Sequence, residues 1–172
     1  MSARDLRLWP FTLELYQRPG VPDECLVLQD RHGINVNLLL FCLYVGAVHG
    51  AVLPDAELRQ AASAVEDWHD NVVSDLRKAR RALKSFATEP SPIVAPAQEL
   101  RTTVKAAELE AERLEQTMLE EWSVPRIGSW PRTHPSEAAA ANIRALFAAT
   151  GESAQRAESP HRLLAAALDA AH

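Results

Sequence analysis

The sequence predicts an all-α, single-domain helical bundle with a central buried helix and a long antiparallel helical hairpin. Three observations support this prediction. Eight consecutive apolar residues run from Leu38 to Val45. Two later segments, about 54–86 and 97–122, repeat apolar residues every three or four positions, which is typical of helices packed along their length. Prolines and glycines fall between these segments, where helices are expected to end.

Composition and length indicate a folded globular protein. The chain has 172 residues, of which 47% are apolar and 24% charged, and its net charge of −5 argues against nucleic-acid binding by the whole surface. The first residues carry charges and lack the apolar core of a secretory signal, and the longest apolar stretch, 36–48, is too short for a membrane span of about 20 residues. Cys25 and Cys42 lie among apolar neighbours, as buried reduced thiols do. We therefore expect a soluble, cytoplasmic protein with no cofactor.

Three helices are expected in the first 50 residues. The first covers about 9–18 and ends at Pro19-Gly20. The second runs from Pro22 to Gly33, since glycine suits the left-handed position after a last turn. Asn35 is a favourable N-cap for the third helix, which reaches about Gly50. Because this third helix is apolar all round, it should be covered on every side.

The two long segments predict an antiparallel hairpin joined by a loop at 88–96, which contains three prolines. Several of the expected contacts pair a small residue with a larger one, so the helices can approach closely. The register obtained by folding the hairpin at residue 91 or 92 pairs Leu83 with Leu100, Ala79 with Val104, Leu76 with Ala107, Val72 with Ala111, His69 with Leu114 and Val65 with Met118.

The C-terminal part contains a linker and two further helices. Residues 123–135 (SVPRIGSWPRTHP) are a Pro-rich linker, and Ala-rich helices follow within 136–172. One begins at Ser136, and the last is opened by Ser159-Pro160. The predicted organisation is thus a helical core at 1–122, which includes the hairpin at 54–122, then the linker and the C-terminal helices. Because its apolar pattern is thin, the C-terminal third is expected to be loosely attached or to order on binding.

One pair of residues in the first long helix has the spacing of a metal-binding motif. Glu66 and His69 form an E-x-x-H sequence, which places a carboxylate and an imidazole on one helical face, as in di-iron bundles. Such a site needs two of these motifs and a glutamate from each of two more helices. His69 also lies on the apolar stripe, so we favour a hydrogen-bonded core histidine over a metal ligand.

A polar turn lies between the second and third helices. It contains Asp30, Arg31 and His32, followed by Asn35. Helix capping is the favoured interpretation of these residues. The competing interpretation is that Arg31 and His32 hold an anion at the N-terminus of the third helix, where amide groups point outward.

The hairpin also carries a basic patch near its loop end. In the predicted register the second helix does not neutralise this patch, because its glutamates fall towards the other end of the hairpin. The patch is either a solvated surface or a docking site for an anionic partner. Its members are Arg77, Lys78, Arg80, Arg81 and Lys84 of the first long helix, with Arg101 and Lys105 beside them.

A family resemblance is carried by four segments: LYQRPGV (15–21), CLVLQDRHGINVNLLLFCL (25–43), LRKARRALK (76–84) and VKAAELEAERLEQ (104–116). They resemble an uncharacterised family of small proteobacterial proteins, a conserved domain of unknown function. The resemblance covers roughly residues 6–120 and implies a helical fold and a bacterial origin, but no activity. The family pattern has a proline where this chain has Ser74-Asp75, so a kink of the first long helix near Val73 is left open.

The motifs of common enzymes are missing from this sequence: it has no G-x-G-x-x-G, P-loop, H-E-x-x-H or C-x-x-C. We therefore expect a non-enzymatic, cytoplasmic protein that binds another protein through its hairpin or its C-terminal third. The alternative is a small-molecule or metal-binding helical domain, or an enzyme, with a site near Asp30–His32 and His69. Homodimerisation is compatible with both hypotheses. Nucleic acid and membrane are not expected partners.

Overall fold

The structure, a computed structural model, describes residues 7–88, 92–151 and 160–171. Within these ranges it contains helices and one isolated antiparallel bridge between Ala51 and Arg132, so the all-α prediction is confirmed. The helices are α1 (Leu8–Tyr16), α2 (Val21–His32), α3 (Val36–Ala47), α4 (Asp55–Trp68), α5 (Ser74–Phe86), α6 (Val94–Ser123), α7 (Pro135–Ala149) and α8 (His161–Ala170). A π-helical turn (His69–Val73) joins α4 to α5, and a 3-10 turn (Ile127–Ser129) follows α6.

Some predicted features need correction, and others lie outside the described residues. The predicted loop at 88–96 is wrong over its last residues, because α6 already begins at Val94. Pro96 is tolerated there, since the first N–H groups of a helix have no intrahelical partner. The charged N-terminal segment up to residue 6, positions 89–91 of the loop and Ser159 lie outside the described ranges.

The turn between α2 and α3 follows the predicted chemistry. Gly33 adopts the left-handed conformation, with φ of 63°, and its N–H donates to the carbonyl of Leu28. The side chain of Asn35 accepts hydrogen bonds from the backbone N–H groups of Asn37 (2.9 Å) and Leu38 (3.2 Å). Asn35 is therefore the N-cap of α3, as predicted.

α3 is the central buried helix. All of its residues, from Val36 to Ala47, are buried. The helix α7 packs along α3 so closely that a Cβ atom added to Gly46 would lie 2.3 Å from the Cα of Ala139. An all-round apolar helix is stable only under such cover, and the prediction of a fully covered third helix is confirmed.

The C-terminal helices belong to the core, and the expectation of loose attachment is wrong for the described part of this segment. α7 buries Ile143, Leu146 and Phe147, among others, and α8 contacts α1, α2, α3 and α7. Glu24 of α2 accepts a hydrogen bond from the backbone N–H of Leu163, at 2.8 Å, and so satisfies a free amide in the first turn of α8. Alanine-rich helices have few large apolar residues, but their small side chains allow close packing.

The described residues group into two compact units. One unit consists of residues from 1–64 and 116–172, and the other consists of residues 65–115. The second unit contains the end of α4, the π-helical turn, α5 and most of α6. Pairs such as Arg80 with Glu108 and His69 with Glu115 show that α5 and the π-helical turn run antiparallel to α6. This is the predicted hairpin, described below as the hairpin unit.

Candidate functional site on the helical hairpin

Ion pairs join α5 to α6 in the seam of the hairpin unit, which also buries the apolar residues Val73, Ala97 and Ala111. Arg77 donates through Nε to Oε1 of Glu108 (3.1 Å) and through Nη2 to Oε1 of Glu112 (2.7 Å). Arg80 donates through Nη2 to the same Glu108 oxygen (3.1 Å) and through Nε to the other. The side chains of Arg77 and Glu108 are only 12% and 7% exposed. Two arginines of α5 thus hold a buried carboxylate of α6.

The two glutamates of this cluster differ in their electrostatics. Burial opposes ionisation of Glu108, but the hydrogen bonds and charges of Arg80 and Arg77 outweigh it and lower the pKa of Glu108. For Glu112, burial is the larger effect and raises its pKa, because Arg77 alone compensates it and the charges of Glu108 and Glu115 add to the rise. The seam therefore favours the ionised form of Glu108 more strongly than that of Glu112.

The basic patch is divided by this arrangement. The expectation that the second helix leaves it unneutralised is wrong for Arg77 and Arg80. Lys78 pairs with Asp75 at the surface, at 3.0 Å. Arg101 is half-buried, and its Nε has no hydrogen-bond partner among the described residues. The exposed members of the patch are Lys78, Arg81, Lys84 and Lys105.

The π-helical turn explains why arginines face the seam. A π-helical turn contains an additional residue, which rotates the following helix relative to an uninterrupted α-helix. The buried position after His69 is therefore Val73 rather than the predicted Val72. The same rotation brings Arg77 and Arg80 inward in place of Leu76 and Ala79. Near Val73, where a kink was left open, α4 passes into α5 through this π-helical turn.

His69 bonds to α6 at the start of this turn. Its Nδ1 lies 3.1 Å from Oε2 of Glu115, whose side chain is fully buried, so the predicted pairing of His69 with Leu114 is wrong by one residue. The neighbouring Trp68 donates its indole N–H to the carbonyl of Ala111, at 3.0 Å. Glu66, the other member of the E-x-x-H motif, is exposed. The favoured interpretation of His69 as a hydrogen-bonded histidine is confirmed.

A candidate metal centre does not emerge from the part of the chain that the structure describes. There, no three His, Cys, Asp or Glu side chains come together in an arrangement that could hold a metal ion. One cavity, of about 180 Å³, lies between the first turn of α4 and the end of α7. It is smaller than the roughly 300–1,000 Å³ of small-molecule pockets. It is lined by Asp55, Leu58, Arg59, Ala145, Ala148 and Ala149.

Each helix of the hairpin unit carries an apolar stripe whose residues are exposed or half-buried. α5 has a strongly apolar side, yet none of its residues is fully buried. Phe86 is 53% exposed, and Leu100 and Leu114 of α6 are 52% and 37% exposed. We name the two stripes together the apolar face. Its residues are Val72, Leu76, Ala79, Leu83 and Phe86 on one helix and Leu100, Val104, Ala107 and Leu114 on the other.

The two stripes lie on the same side of the hairpin. Successive residues of a helix are about 100° apart around its axis. Leu83 therefore lies roughly 240° around α5 from Arg77, and Ala107 lies roughly 220° around α6 from Glu112. Arg77 and Glu112 pair with each other across the seam, so both angles are measured from the direction of the neighbouring helix. Because the two helices are antiparallel, these angles turn in opposite senses, and both stripes lie on the same side of the hairpin. Leu109 is as exposed as Leu100, but it lies only about 60° around α6 from Glu112 and is therefore outside the apolar face.

The residues of the turn at Asp30–Asn35 end α2 and cap the start of α3. Arg31 and His32 lie in the last turn of α2, where positive charge suits the helix dipole. Two of the amide groups that an anion would need at the N-terminus of α3 are already bonded to the side chain of Asn35. Asp30 accepts a hydrogen bond from Gln29, at 3.2 Å. These contacts match the capping interpretation, and they give the anion interpretation no support.

Sequence reasoning missed the polar residues that hold the helices together. Glu108, Glu112 and Glu115 follow one another at spacings of four and three, which is a readable signal for one helical face. A second missed cluster lies in the other unit. There Thr12 donates to Gln116 (2.8 Å), and Gln116 donates to Asn37 (2.9 Å), in a fully buried chain.

A comparison with known families identifies the family of this chain. A family model described as "Protein of unknown function (DUF2390)" matches residues 7–119. No curated protein and no solved structure matches the chain. The matched residues include α1 to α5 and all but the end of α6.

Proposed function

Since the chain belongs to the DUF2390 family of proteins of unknown function, we propose its function from the surface of the molecule: it is a non-enzymatic helical protein that mediates protein–protein interaction. The interaction surface is the apolar face of the hairpin unit. The observation that carries this proposal is that α5 is strongly amphipathic, but none of its residues is fully buried. An apolar side of a helix normally packs against a neighbour.

The residues of the apolar face share one side of the hairpin, which distinguishes them from scattered apolar residues elsewhere. Single exposed leucines are common on protein surfaces, whereas a continuous apolar face marks a binding site. Phe86, Leu100 and Leu114 lie on one side of the hairpin. The opposite side carries the ion pair of Arg77 with Glu112 and the exposed lysines. A protein partner that covers the apolar face would remove its apolar surface from water without disturbing the ion-paired seam.

Affinity capture with cross-linking and mass spectrometry tests this proposal, using a lysate of the native host. The test variant combines Phe86→Glu with Leu100→Glu, and the control is Leu109→Glu, because Leu109 and Leu100 are equally exposed at 52%. We expect the test variant to lose captured partner at least about tenfold, which corresponds to roughly 1.4 kcal/mol. Leu109→Glu should capture as the wild type does.

Circular dichroism identifies loss of capture that is caused by unfolding. Each variant should keep the helicity of the wild type, since all three leucine and phenylalanine positions are exposed. A partner that is retained by the Phe86→Glu, Leu100→Glu variant would contradict the proposal. Loss of capture only on reversing Lys84 and Lys105 to glutamate would also contradict it, and would assign the interaction to the basic patch.

We further infer a cytoplasmic location and a proteobacterial source. The location is supported by the two cysteines, Cys25 and Cys42, which are both buried free thiols, as is usual in a reducing compartment. Burial raises the pKa of the Cys42 thiol to about 12, so this thiol is unreactive at neutral pH. In the described ranges, none of the helices has the length and apolar character needed to cross a membrane. The source is supported by the sequence resemblance described above. Fractionation of the host would test the location.

A further inference from the structure

We propose that the apolar face is covered by a second copy of the chain, so that two hairpin units pack face to face about a twofold axis. This inference rests on the proposed function, because it names the partner of the same surface. Two hairpins packed in this way form a four-helix arrangement, in which the apolar sides of both helices turn inward.

The dimensions of the apolar face fit a second hairpin. From Val72 to Phe86, and from Leu100 to Leu114, the face is about 22 Å long at 1.5 Å per residue. Two helices side by side make it about 20 Å wide, which gives a projected area of about 450 Å². The accessible area of a ridged helical surface exceeds its projection, so each copy would bury more than about 450 Å², compared with the roughly 800 Å² per partner of a standard interface.

The width of the face favours a second hairpin over a single helix as its partner. The outermost residues, Phe86 on α5 and Leu114 on α6, lie towards opposite edges of the hairpin. A single partner helix is about 10 Å across and covers the groove between the two stripes. A second hairpin covers both stripes to their edges.

The face is also complementary to itself in shape. A twofold interface brings the same patch of each copy together, so large residues must meet small ones. Each stripe has a small residue between larger ones: Ala79 lies between Leu76 and Leu83 on α5, and Ala107 lies between Val104 and Leu114 on α6. The alanines leave space into which the leucines of the second copy can pack.

The charges at the edges of the face do not oppose self-association. The edge on α5 carries Asp75, whose charge is paired with that of Lys78 at 3.0 Å. The edge on α6 carries Glu110, which is paired with Arg113. Because each edge carboxylate is paired with a base of its own helix, a second copy meets no uniform field of its own charge. The exposed lysines Lys84 and Lys105 lie away from these edges.

Sedimentation velocity on the full chain tests the proposal directly. The monomer mass is 19.0 kDa, and we expect the wild type to sediment at about twice that mass at micromolar concentration. The Phe86→Glu, Leu100→Glu variant should sediment as a monomer with unchanged helicity, and Leu109→Glu should remain a dimer. A wild type that is monomeric up to about 100 µM, or a dimer that the face variant does not dissociate, overturns the proposal.

Cross-linking gives a second, independent readout. Ala79→Cys places a thiol within the face, and Ser85→Cys places one on the Arg77 side of the same helix. A short bis-maleimide should link two copies of the Ala79→Cys variant and leave Ser85→Cys largely unlinked, while the wild-type cysteines are buried. Equal linking of both variants would overturn the proposal.

The two proposals fail in distinguishable ways. If the wild type is a monomer that still captures another protein through Phe86 and Leu100, the proposal of a second copy is overturned and the proposed function stands. A dimer that depends on Phe86 and Leu100 supports the second copy even where no other protein is captured. A monomer that captures nothing overturns both.

Discussion

Glu108 is the residue on which the seam of the hairpin unit depends. It accepts hydrogen bonds from both Arg77 and Arg80, and its side chain is 7% exposed. Removing the charge of a buried partner leaves the other charges uncompensated, which costs roughly 3–5 kcal/mol when all partners are buried. Arg77 and Arg80 are partly exposed, so solvent reduces this cost.

We expect Glu108→Gln to lower the free energy of unfolding by about 2 kcal/mol, because the glutamine keeps the shape but not the charge. Urea denaturation followed by circular dichroism measures it. Glu110→Gln is the matched control, since Glu110 pairs with Arg113 on the exposed surface of the same helix. A Glu110→Gln variant as unstable as Glu108→Gln would contradict the role of the seam.

The pH dependence of stability follows from the same residue. The pKa of Glu108 is lower in the folded chain than in the unfolded chain, so its contribution is present above the unfolded value and is lost as the pH falls through the folded value. The pKa of Glu112 is raised, so its contribution has the opposite sign: it is present below the unfolded value and is lost as the pH rises through the folded value.

The difference in melting temperature between wild type and Glu108→Gln should therefore be largest at neutral pH and shrink as the pH falls through and below the ordinary titration range of glutamate. Differential scanning calorimetry at a series of pH values measures it. A difference that stays constant over this range would mean that the charge of Glu108 does not stabilise the fold.

At the scale of the elements, the contact between α3 and α7 is decided by a glycine. Gly46 allows the backbone of Ala139 to approach α3, and Asn142 fixes the same contact. The amide nitrogen of Asn142 donates to the carbonyls of Cys42 (3.1 Å) and Ala51 (3.0 Å), and its oxygen accepts from the N–H of Leu53 (2.8 Å). One buried side chain thus satisfies three backbone groups around the end of α3.

Gly46→Ala should lower the free energy of unfolding by about 2 kcal/mol or more, because the added Cβ would meet backbone atoms that cannot move aside. Thermal melting measures it. Gly128→Ala is the control, since an added Cβ there has no atom within 4 Å. If Gly46→Ala were as stable as Gly128→Ala, the two helices would not be in the close contact described here.

At the scale of the whole molecule, burial is unevenly distributed. Every residue of α3 is buried, whereas α5 has none that is fully buried. Amide hydrogens exchange slowly where opening requires loss of many buried contacts, and quickly where it does not. We therefore expect α5 to exchange at least about tenfold faster than α3 at low protein concentration.

Hydrogen–deuterium exchange with mass spectrometry measures this difference. Exchange in α5 should slow as the concentration of the wild type rises, because the second copy covers the apolar face. The Phe86→Glu, Leu100→Glu variant provides the control and should show no such dependence. Equal protection of α3 and α5 at low concentration would contradict the uneven distribution of burial.

The sequence by itself determined the elements whose causes are local. Gly33 and Asn35 mark the end of α2 and the start of α3, since a left-handed glycine and a side-chain cap act within a few residues. The apolar run from Leu38 to Val45 requires burial whatever surrounds it. The sequence also predicted the hairpin, because two long segments with helical apolar periodicity flank a proline-rich loop.

The tertiary structure alone decided which faces of the hairpin helices meet. Apolar periodicity favoured Leu76, Ala79 and Leu100 in the seam, but the seam contains Arg77, Arg80 and Glu108. The physical reason is twofold. A π-helical turn rotates α5 relative to the period that the sequence suggests, and the ion pairs that stabilise the rotated arrangement join residues about 30 positions apart. Pairing at that distance depends on the three-dimensional arrangement and leaves no local signal.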